Sequence, residues 1–95
     1  MSKSIQRIVK AFYEGKTAKD NHDRCENYEL FYRDNKIAWI DENWDLWIDS
    51  CHWMTNTTKT RLCQLDNVSI QQVKYKWFLN GKFWDGSPIN ISKLK

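Results

Sequence analysis

The residues best suited to chemistry in this chain are its cysteines, its histidines and the carboxylates near them. Cys51 and His52 are adjacent and follow Asp49, and His22 lies three residues before Cys25. A cysteine beside an oriented histidine is typical of a nucleophilic enzyme, and the two residue types together are typical zinc ligands. These two clusters are therefore the first candidates for a catalytic or metal site.

Neither cluster has the arrangement that its chemistry needs. Adjacent residues on a strand point to opposite faces, so Cys51 and His52 do not form a dyad if the strand continues. An adjacent pair also lacks the tight knuckle spacing of structural zinc ligands. The odd count of three cysteines favours free thiols over a disulfide framework, and the three glycines fall at predicted turns rather than in a phosphate-binding loop. We therefore expect no catalysis, no metal and no cofactor.

Basic residues interleaved with aromatic ones give a different functional signal. Cations neutralise phosphate while exposed rings stack on unpaired bases, an arrangement that favours RNA or single-stranded nucleic acid over duplex. The candidate nucleic-acid-binding residues are Lys59, Arg61, Lys74, Lys76, Lys82, Arg7 and Lys10. Strand alternation argues against part of this pattern, because it puts Lys74 and Lys76 on one face and Tyr75 and Trp77 on the other, which favours a core role for the rings.

An acidic segment rich in tryptophan indicates an alternative to nucleic-acid binding, namely binding to a host protein. Tryptophan surrounded by polar groups is typical of a protein-binding hot spot, and carboxylates beside it would imitate nucleic acid toward a basic host protein. The candidate protein-binding residues are Trp39, Trp44, Trp47, Asp45 and Asp49. An oligomerisation module, such as a homodimer, stays open as a third reading.

Composition and charge set the outer limits. A chain of 95 residues with a hydrophobic share of 41% and a charged share of 28% is typical of one globular domain. Residues 1–19 carry a net charge of +4, residues 20–49 carry −6, and residues 50–95 carry +5, which predicts an acidic and a basic side. No apolar run approaches the roughly 18 residues of a membrane span, and the first residues lack the apolar centre of a secretory signal. We expect a cytoplasmic protein without a membrane segment.

The first third of the chain predicts a helix followed by a connection. Apolar residues at i, i+3, i+4 and i+7 predict an amphipathic helix, and these residues are Ile5, Ile8, Val9 and Phe12. Ser2 or Ser4 would cap its start and Gly15 would end it. The polar segment 16–27 has no period, so we expect an exposed connection there.

The middle of the chain predicts an antiparallel meander and a short helix. The predicted strands are Tyr28–Arg33, Lys36–Ile40 and Trp44–Asp49, with a tight turn at Asp34-Asn35. Threonines from Thr55 onward favour helix entry, and Leu62 and Leu65 recur at helical spacing while Lys59 and Arg61 face water.

The last third predicts further strands and completes the fold class. Strands are expected at Val68–Val73 and Tyr75–Leu79, and Asn80-Gly81 favours a type I′ turn. Residues 88–95 would form a last extended segment or a frayed end. The whole pattern predicts an α+β fold, with the N-terminal helix and the short central helix packed on an antiparallel sheet of about five strands.

Three sequence elements resemble those of a family of small, uncharacterised phage and mobile-element proteins. They are an N-x-I-A element at Asn35–Ala38, a W-x-T-x-T-T-x-x-R-L element at Trp53–Leu62, and an L-N-G-x-x-W-D-G element at Leu79–Gly86. The chain departs from the family at His52, where glycine is usual, and at Cys63, where a polar residue is usual. The resemblance implies a small phage accessory protein that counteracts a host defence or toxin system by binding the host protein or its nucleic acid.

Overall fold

Two helices and two antiparallel sheets form the fold in the computed structural model, which describes residues 3–94. The elements are α1 (Lys3–Glu14), β1 (Ala18–Asp20), β2 (Asp23–Glu26), β3 (Glu29–Tyr32), β4 (Asn35–Ile40), β5 (Leu46–Ile48), α2 (Asn56–Leu62), β6 (Ile70–Val73), β7 (Lys76–Leu79), β8 (Lys82–Trp84) and β9 (Ile89–Asn90). None of the helices in this described range is both long enough and apolar enough to cross a membrane.

The strands form a large sheet and a small sheet. The large sheet has the order β1-β2-β3-β4-β5-β9, and the small sheet has the order β6-β7-β8. Each strand pairs with its neighbour in sequence, except that β9 returns to β5 after the chain has made α2 and the small sheet. The predicted α+β fold, with both helices packed on an antiparallel sheet, is confirmed; the large sheet has six strands where about five were predicted, and the small sheet adds three.

Helix α1 covers the large sheet with the predicted stripe. Ile8 and Phe12 are fully buried, and the helix packs mainly on β1 and β2. Gly15 follows the last helical turn with a φ of +72°, and its backbone N–H donates to the carbonyl of Phe12 at 3.2 Å. The helix therefore ends where predicted, while Ser4 lies inside it and Ser2 lies outside the described residues.

The prediction of an exposed connection at 16–27 is wrong, because this segment forms the β1–β2 hairpin. Residues in β2 alternate between the interior and the surface, and the inward positions are Asp23 and Cys25. Because one of the two inward residues is an aspartate, the hydrophobicity of the sequence does not alternate as it does in a typical half-buried strand. The charge of this aspartate is matched by Arg61, whose Nε lies 2.6 Å from Asp23 Oδ1 across 38 residues of sequence. The strand is therefore stabilised by an ion pair with a residue that is distant in sequence.

The meander is present with small shifts in its boundaries. The β3–β4 turn lies at Arg33 and Asp34, which have φ values of 50° and 66°, one residue before the predicted turn. Strand β5 is shorter than predicted because Trp44 has a φ of 65° and belongs to the preceding turn. A tight turn with two left-handed residues matches the twist of the flanking strands.

In the small sheet, the predicted Asn80-Gly81 turn is confirmed by φ values of 50° and 88°. The turn before it takes both Lys74 and Tyr75, which also have positive φ values. Strand alternation predicted that Tyr75 and Trp77 share a face. This prediction is wrong, because Tyr75 lies in the turn and not in the strand. Its side chain is 94% exposed, whereas Trp77 is 1% exposed.

The remaining predictions concern α2 and the C-terminal segment. Thr55 caps α2 by accepting a hydrogen bond from the backbone N–H of Thr58, and Leu62 is buried, so this helix is confirmed. Leu65 is also buried but lies three residues beyond its end. In the C-terminal segment, Ile89–Asn90 form the short strand β9 and Ile91 is buried, whereas Lys95 lies outside the described residues. A single hydrophobic cluster joins both helices and both sheets.

Candidate nucleic-acid interface

The outer face of the small sheet carries two exposed apolar side chains, Val73 at 51% and Phe83 at 61% exposure. Residues opposite each other on antiparallel strands share a face, and the register pairs Gln71 with Phe78, Phe78 with Phe83, and Val73 with Lys76. We define the outer face as Gln71, Val73, Lys76, Phe78 and Phe83. The opposite face carries Trp77 and Trp84 into the core.

Two phenylalanines form the centre of the outer face. The ring centroids of Phe78 and Phe83 are 6.2 Å apart, and the ring planes meet at 76°. Phe83 is 61% exposed and Phe78 is half-buried. Apolar surface that stays in water forgoes about 25 cal/mol per Å² of stabilisation. The exposed part of this pair therefore does not stabilise the fold. Exposed rings on a sheet are suited to stack on unpaired bases.

Three lysines belong to the small sheet and its first turn. Lys76 lies on the outer face, and Lys74 lies in the turn before β7. Lys82 begins β8 opposite Leu79, so its side chain starts from the other face at the edge of the sheet. Within the described residues none of the three forms a salt bridge. The sequence has no acidic residue from position 67 to position 84. The small sheet therefore carries three positive charges with no carboxylate of its own to offset them.

A groove beside the outer face adds a concave element to this surface. It has a volume of about 210 Å³ and is lined by Leu79, Asn80, Lys82, Phe83, Ile89 and Leu94. The lining combines an aromatic ring, a cation and apolar side chains. Tyr75 extends from the opposite end of the small sheet with almost its whole ring in solvent.

The structure places Arg61 differently from the prediction. Its guanidinium makes two hydrogen bonds to Asp23, at 2.6 and 3.2 Å, and lies 4.1 Å from the centre of the Tyr32 ring. The two charged side chains are only 21% and 10% exposed. A bidentate, largely desolvated pair of this kind holds α2 to β2. Arg61 is therefore a structural residue that is not free to neutralise phosphate, and the expectation that it faces water is wrong.

The other basic candidates do not extend the small-sheet surface. Lys59 lies on α2 and is half-exposed. Arg7 and Lys10 are exposed on α1, and Arg7 donates a hydrogen bond to the carbonyl of Lys19 at 3.2 Å. Since α1 packs on β1 and β2 of the large sheet, the predicted basic residues are divided among separate elements. Of the predicted basic residues, Lys76 and Lys82 lie in strands of the small sheet, and Lys74 lies in the turn that joins two of its strands.

The tryptophans of the acidic segment lie in two settings. Trp39 and Trp47 are paired across β4 and β5, with ring centroids 5.8 Å apart and planes only 7° from parallel. Both are half-buried. Lys36 Nζ lies 4.9 Å from the Trp39 ring centre, and Trp47 Nε1 donates to Asp41 at 2.8 Å. The contacts of the pair within the chain therefore include the indole N–H of Trp47 and the π face of Trp39.

Trp44 is the exposed tryptophan of this segment, with 69% of its surface in solvent. Asp41 holds its turn, since one carboxylate oxygen accepts hydrogen bonds from the backbone N–H groups of Asn43 and Asp45. The hydrogen bond from the Trp47 indole, followed by these backbone bonds, lowers the pKa of Asp41. The Trp44 ring meets Tyr28 edge-on at 5.3 Å.

The two acidic candidates are partly occupied by internal contacts. Asp45 accepts a hydrogen bond from the side-chain amide of Asn90 at 3.1 Å, and Asp49 accepts one from the backbone N–H of Cys51 at 2.9 Å. Their carboxylates therefore stabilise the strand ends on which they lie.

Cys51 and His52 follow the end of β5. Cys51 and His52 both have positive φ values and form a turn. The Cys51 thiol donates to the carbonyl of Lys36 at 2.9 Å, and burial, then the nearby Asp49 carboxylate, raises its pKa to about 11. A thiol held in the protonated form is a poor nucleophile. Across residues 3–94, no group of three or more metal-ligating side chains is assembled.

Sequence reasoning missed the aromatic pair of the outer face, although its signal was present. A two-residue Asn-Gly turn sets Leu79 opposite Lys82, and the next pair outward is then Phe78 with Phe83. Because Trp77 and Leu79 are the inward residues of β7, Phe78 must point outward. Counting pairs from the turn would have identified this exposed pair.

The comparison with known proteins gives one positive result. The family model described as Kyanoviridae Gp96 protein matches residues 1–93 of the chain. No curated protein and no solved structure matches it.

Proposed function

Because the chain belongs to the Kyanoviridae Gp96 protein family, a phage family, we propose that it is a non-catalytic phage accessory protein that binds RNA or other single-stranded nucleic acid. It acts in the host cytoplasm, where it counteracts a host defence or toxin system. The observation that supports nucleic-acid binding is the outer face of the small sheet. There the exposed ring of Phe83 meets the half-buried ring of Phe78, and the three lysines of this sheet and its first turn form no salt bridge with any described residue.

The chemistry of this surface favours an unpaired strand. Stacking of a base on Phe83 needs a base whose π face is free, which a duplex does not offer outside its ends. The lysines act as point charges that neutralise phosphates without reading sequence. The expected binding is therefore tolerant of sequence, sensitive to salt and stronger for single strands than for duplex.

Fluorescence anisotropy with labelled oligonucleotides of about 12 nucleotides, a length within the usual site sizes, tests the proposal. Base stacking contributes about 1–3 kcal/mol per base, so Phe83→Ala should weaken RNA binding by about 5-fold to 150-fold. Trp44→Ala is the matched control, because it removes an equally exposed ring from the acidic segment. Equal losses in both variants, or equal affinity for duplex and single strand, would contradict the proposal.

The lysines are tested through the salt dependence of the same binding. Each phosphate neutralised on a single strand contributes a slope of about −0.7 in log K against log salt. Lys76→Gln should make the slope shallower by about this amount, while Lys10→Gln on α1 should leave it unchanged. If Lys10→Gln changes the slope and Lys76→Gln does not, the outer face of the small sheet is not the binding surface.

The second part of the proposal, the action on a host system, starts from membership of a phage protein family. Affinity purification from expressing host cells, with and without nuclease, tests it together with the role of nucleic acid. A host defence or toxin protein that is recovered only before nuclease treatment would support the proposal. Recovery of host RNA alone would contradict the anti-defence role.

One observation favours a protein-binding inhibitor as a second candidate function. Trp44 is 69% exposed on a turn that Asp41 holds rigid, and such an anchored indole is typical of a hot spot. Under this alternative, a host protein is recovered even after nuclease treatment, and Trp44→Ala abolishes its recovery. Measurement of the mass in solution also distinguishes a homodimer from a monomer that uses this surface for a host partner.

A further inference from the structure

An open cleft lies on the side of the molecule where the β3–β4 turn approaches the start of α2. Its volume of about 330 Å³ falls within the range of small-molecule sites. We call it the Trp53 cleft, and the residues used below are Tyr32, Arg33, Asn35, Trp53, Thr55 and Thr57. Neither the nucleic-acid interface nor the acidic tryptophan segment includes these side chains.

Trp53 gives the cleft a flat apolar wall. The indole is 57% exposed, and its backbone N–H donates to the carbonyl of Ser50 at 2.9 Å, which fixes the turn that carries it. Ser50 itself is buried. An exposed indole on an anchored turn contributes nothing to the core, but it presents a surface on which a planar ring can stack.

Arg33 is the one formally charged residue among those that line the cleft. Its Nε donates to the Tyr32 hydroxyl at 3.3 Å, and the rest of the side chain is exposed. The hydrogen bond from Thr57 to Tyr32, followed by that of Arg33 and the positive charge of Arg61, lowers the pKa of Tyr32 despite its burial. The Arg33 guanidinium gives the lining one positive charge, which favours an anion.

Hydroxyl and amide groups complete the cleft. The Oγ1 atoms of Thr55 and Thr57 lie 2.9 Å apart, and the Asn35 amide donates to the carbonyl of Arg33 at 3.3 Å. Side-chain amides and hydroxyls can each donate and accept, as the polar edges of a base or a sugar require. The four features together are a stacking wall, a cation, hydrogen-bonding groups and the volume for one ring system.

The Gly86 turn connects this region with the small sheet. Gly86 follows β8 by two residues, and its carbonyl accepts hydrogen bonds from the backbone N–H of Ser50 at 3.0 Å and from the Ser50 hydroxyl at 2.8 Å. Met54, next to Trp53, also borders Gly86. The segment that carries Trp53 is therefore fastened to the end of the small sheet.

We propose that the Trp53 cleft binds one nucleotide of the single strand that the small sheet holds. The base stacks on Trp53, the phosphate pairs with Arg33, and the hydroxyl and amide groups bind the sugar or base edge. This inference rests on the proposed function, because it names a second contact point for the same ligand.

Titration with free mononucleotides, followed by NMR of the indole N–H groups, tests the cleft without an oligonucleotide. The signal of Trp53 is the one that disappears in Trp53→Phe. Adenosine and uridine monophosphates at up to about 10 mM, a range suited to weak millimolar binding, should shift this signal. The nucleosides should bind more weakly by about 5-fold to 10-fold because they lack the charge-assisted contact. Inorganic phosphate alone should leave the Trp53 signal in place.

Two variants separate the contributions. Arg33→Gln should reduce nucleotide affinity to that of the nucleoside, whereas Lys10→Gln, which removes an exposed cation from α1, should leave it unchanged. A Trp53 signal that does not move with any mononucleotide overturns the inference. Nucleotide affinity that is unchanged in Arg33→Gln overturns it as well, because the phosphate would then lie elsewhere.

The outcomes also separate this inference from the proposed function. If the Trp53 signal stays in place while RNA binding still depends on Phe83, the cleft inference fails and the small-sheet interface stands. If mononucleotides bind at Trp53 but Phe83→Ala leaves oligonucleotide binding intact, the proposed interface fails and the cleft remains a nucleotide site by itself.

Discussion

Replacing Gly86 with alanine tests the connection between the small sheet and the Trp53 segment. Gly86 has a φ of +90°, and an added Cβ would lie 2.5 Å from Ser50 Oγ and 3.1 Å from Met54 Sδ. Gly81 supplies a matched control, since its φ is +88° and an added Cβ meets no atom within 4 Å. Both substitutions strain the backbone equally, and only Gly86→Ala also displaces a buried hydroxyl.

The magnitudes follow from these two effects. A left-handed alanine costs about 1–2 kcal/mol, of which about 0.4–1 kcal/mol is offset by the stiffer unfolded chain. Gly81→Ala should therefore reduce the free energy of unfolding by about 1 kcal/mol. Overpacking adds about 1–3 kcal/mol, so we expect Gly86→Ala to lose about 2–4 kcal/mol in total.

Urea denaturation followed by tryptophan fluorescence measures both losses of stability. Each loss is calculated from the shift in the unfolding midpoint, with the same dependence of the free energy on urea concentration for all variants. In a domain of this size, each 1 kcal/mol should also appear as about 4–8 °C in Tm. Equal losses in the two variants would refute the reasoning, because they would mean that Gly86 is not packed against Ser50.

Three further predictions concern stability. Asp23→Ala should reduce the free energy of unfolding by about 3–5 kcal/mol, because it leaves Arg61 partly buried without its partner. A double-mutant cycle with Arg61→Met should give a coupling energy above the roughly 0.2–1 kcal/mol of an exposed pair. Thr55→Ala should cost about 1 kcal/mol through loss of the α2 cap, and urea midpoints would detect it. The raised pKa of Cys51, about 11 in the folded chain against the ordinary value of 9.0, means that the unfolded chain loses this proton first. The Cys51 contribution to stability is therefore complete below pH 9 and lost as pH rises toward 11, so Cys51→Ala should flatten the decline of urea midpoints over this range.

Local signals were sufficient to predict much of the fold. The stripe on α1 and the Asn80-Gly81 turn each depend on residues within a few positions of one another, and both were found. The β1–β2 hairpin was missed because its inward residues include Asp23, whose partner Arg61 is distant in sequence. A polar residue that becomes buried through a distant ion pair carries no local signature.

The candidate site was only partly predictable for a similar reason. Lys74, Lys76 and Lys82 were identified from sequence and lie in the small sheet or in the turn between its first two strands. Arg61 looks equivalent to them in sequence, but in the fold it faces Asp23. Exposure of a cation depends on which other elements pack beside it, and a charge pattern cannot supply that information.

Ultraviolet crosslinking of the protein to single-stranded RNA, followed by mapping of the adducts, locates the bound bases on the surface of the unmodified chain. We expect the crosslinked peptides to contain residues 73–84, with the adducts at Phe78, Phe83 or Tyr75. Adducts confined to Trp39, Trp44 and Trp47, with none on the small sheet, would contradict this expectation.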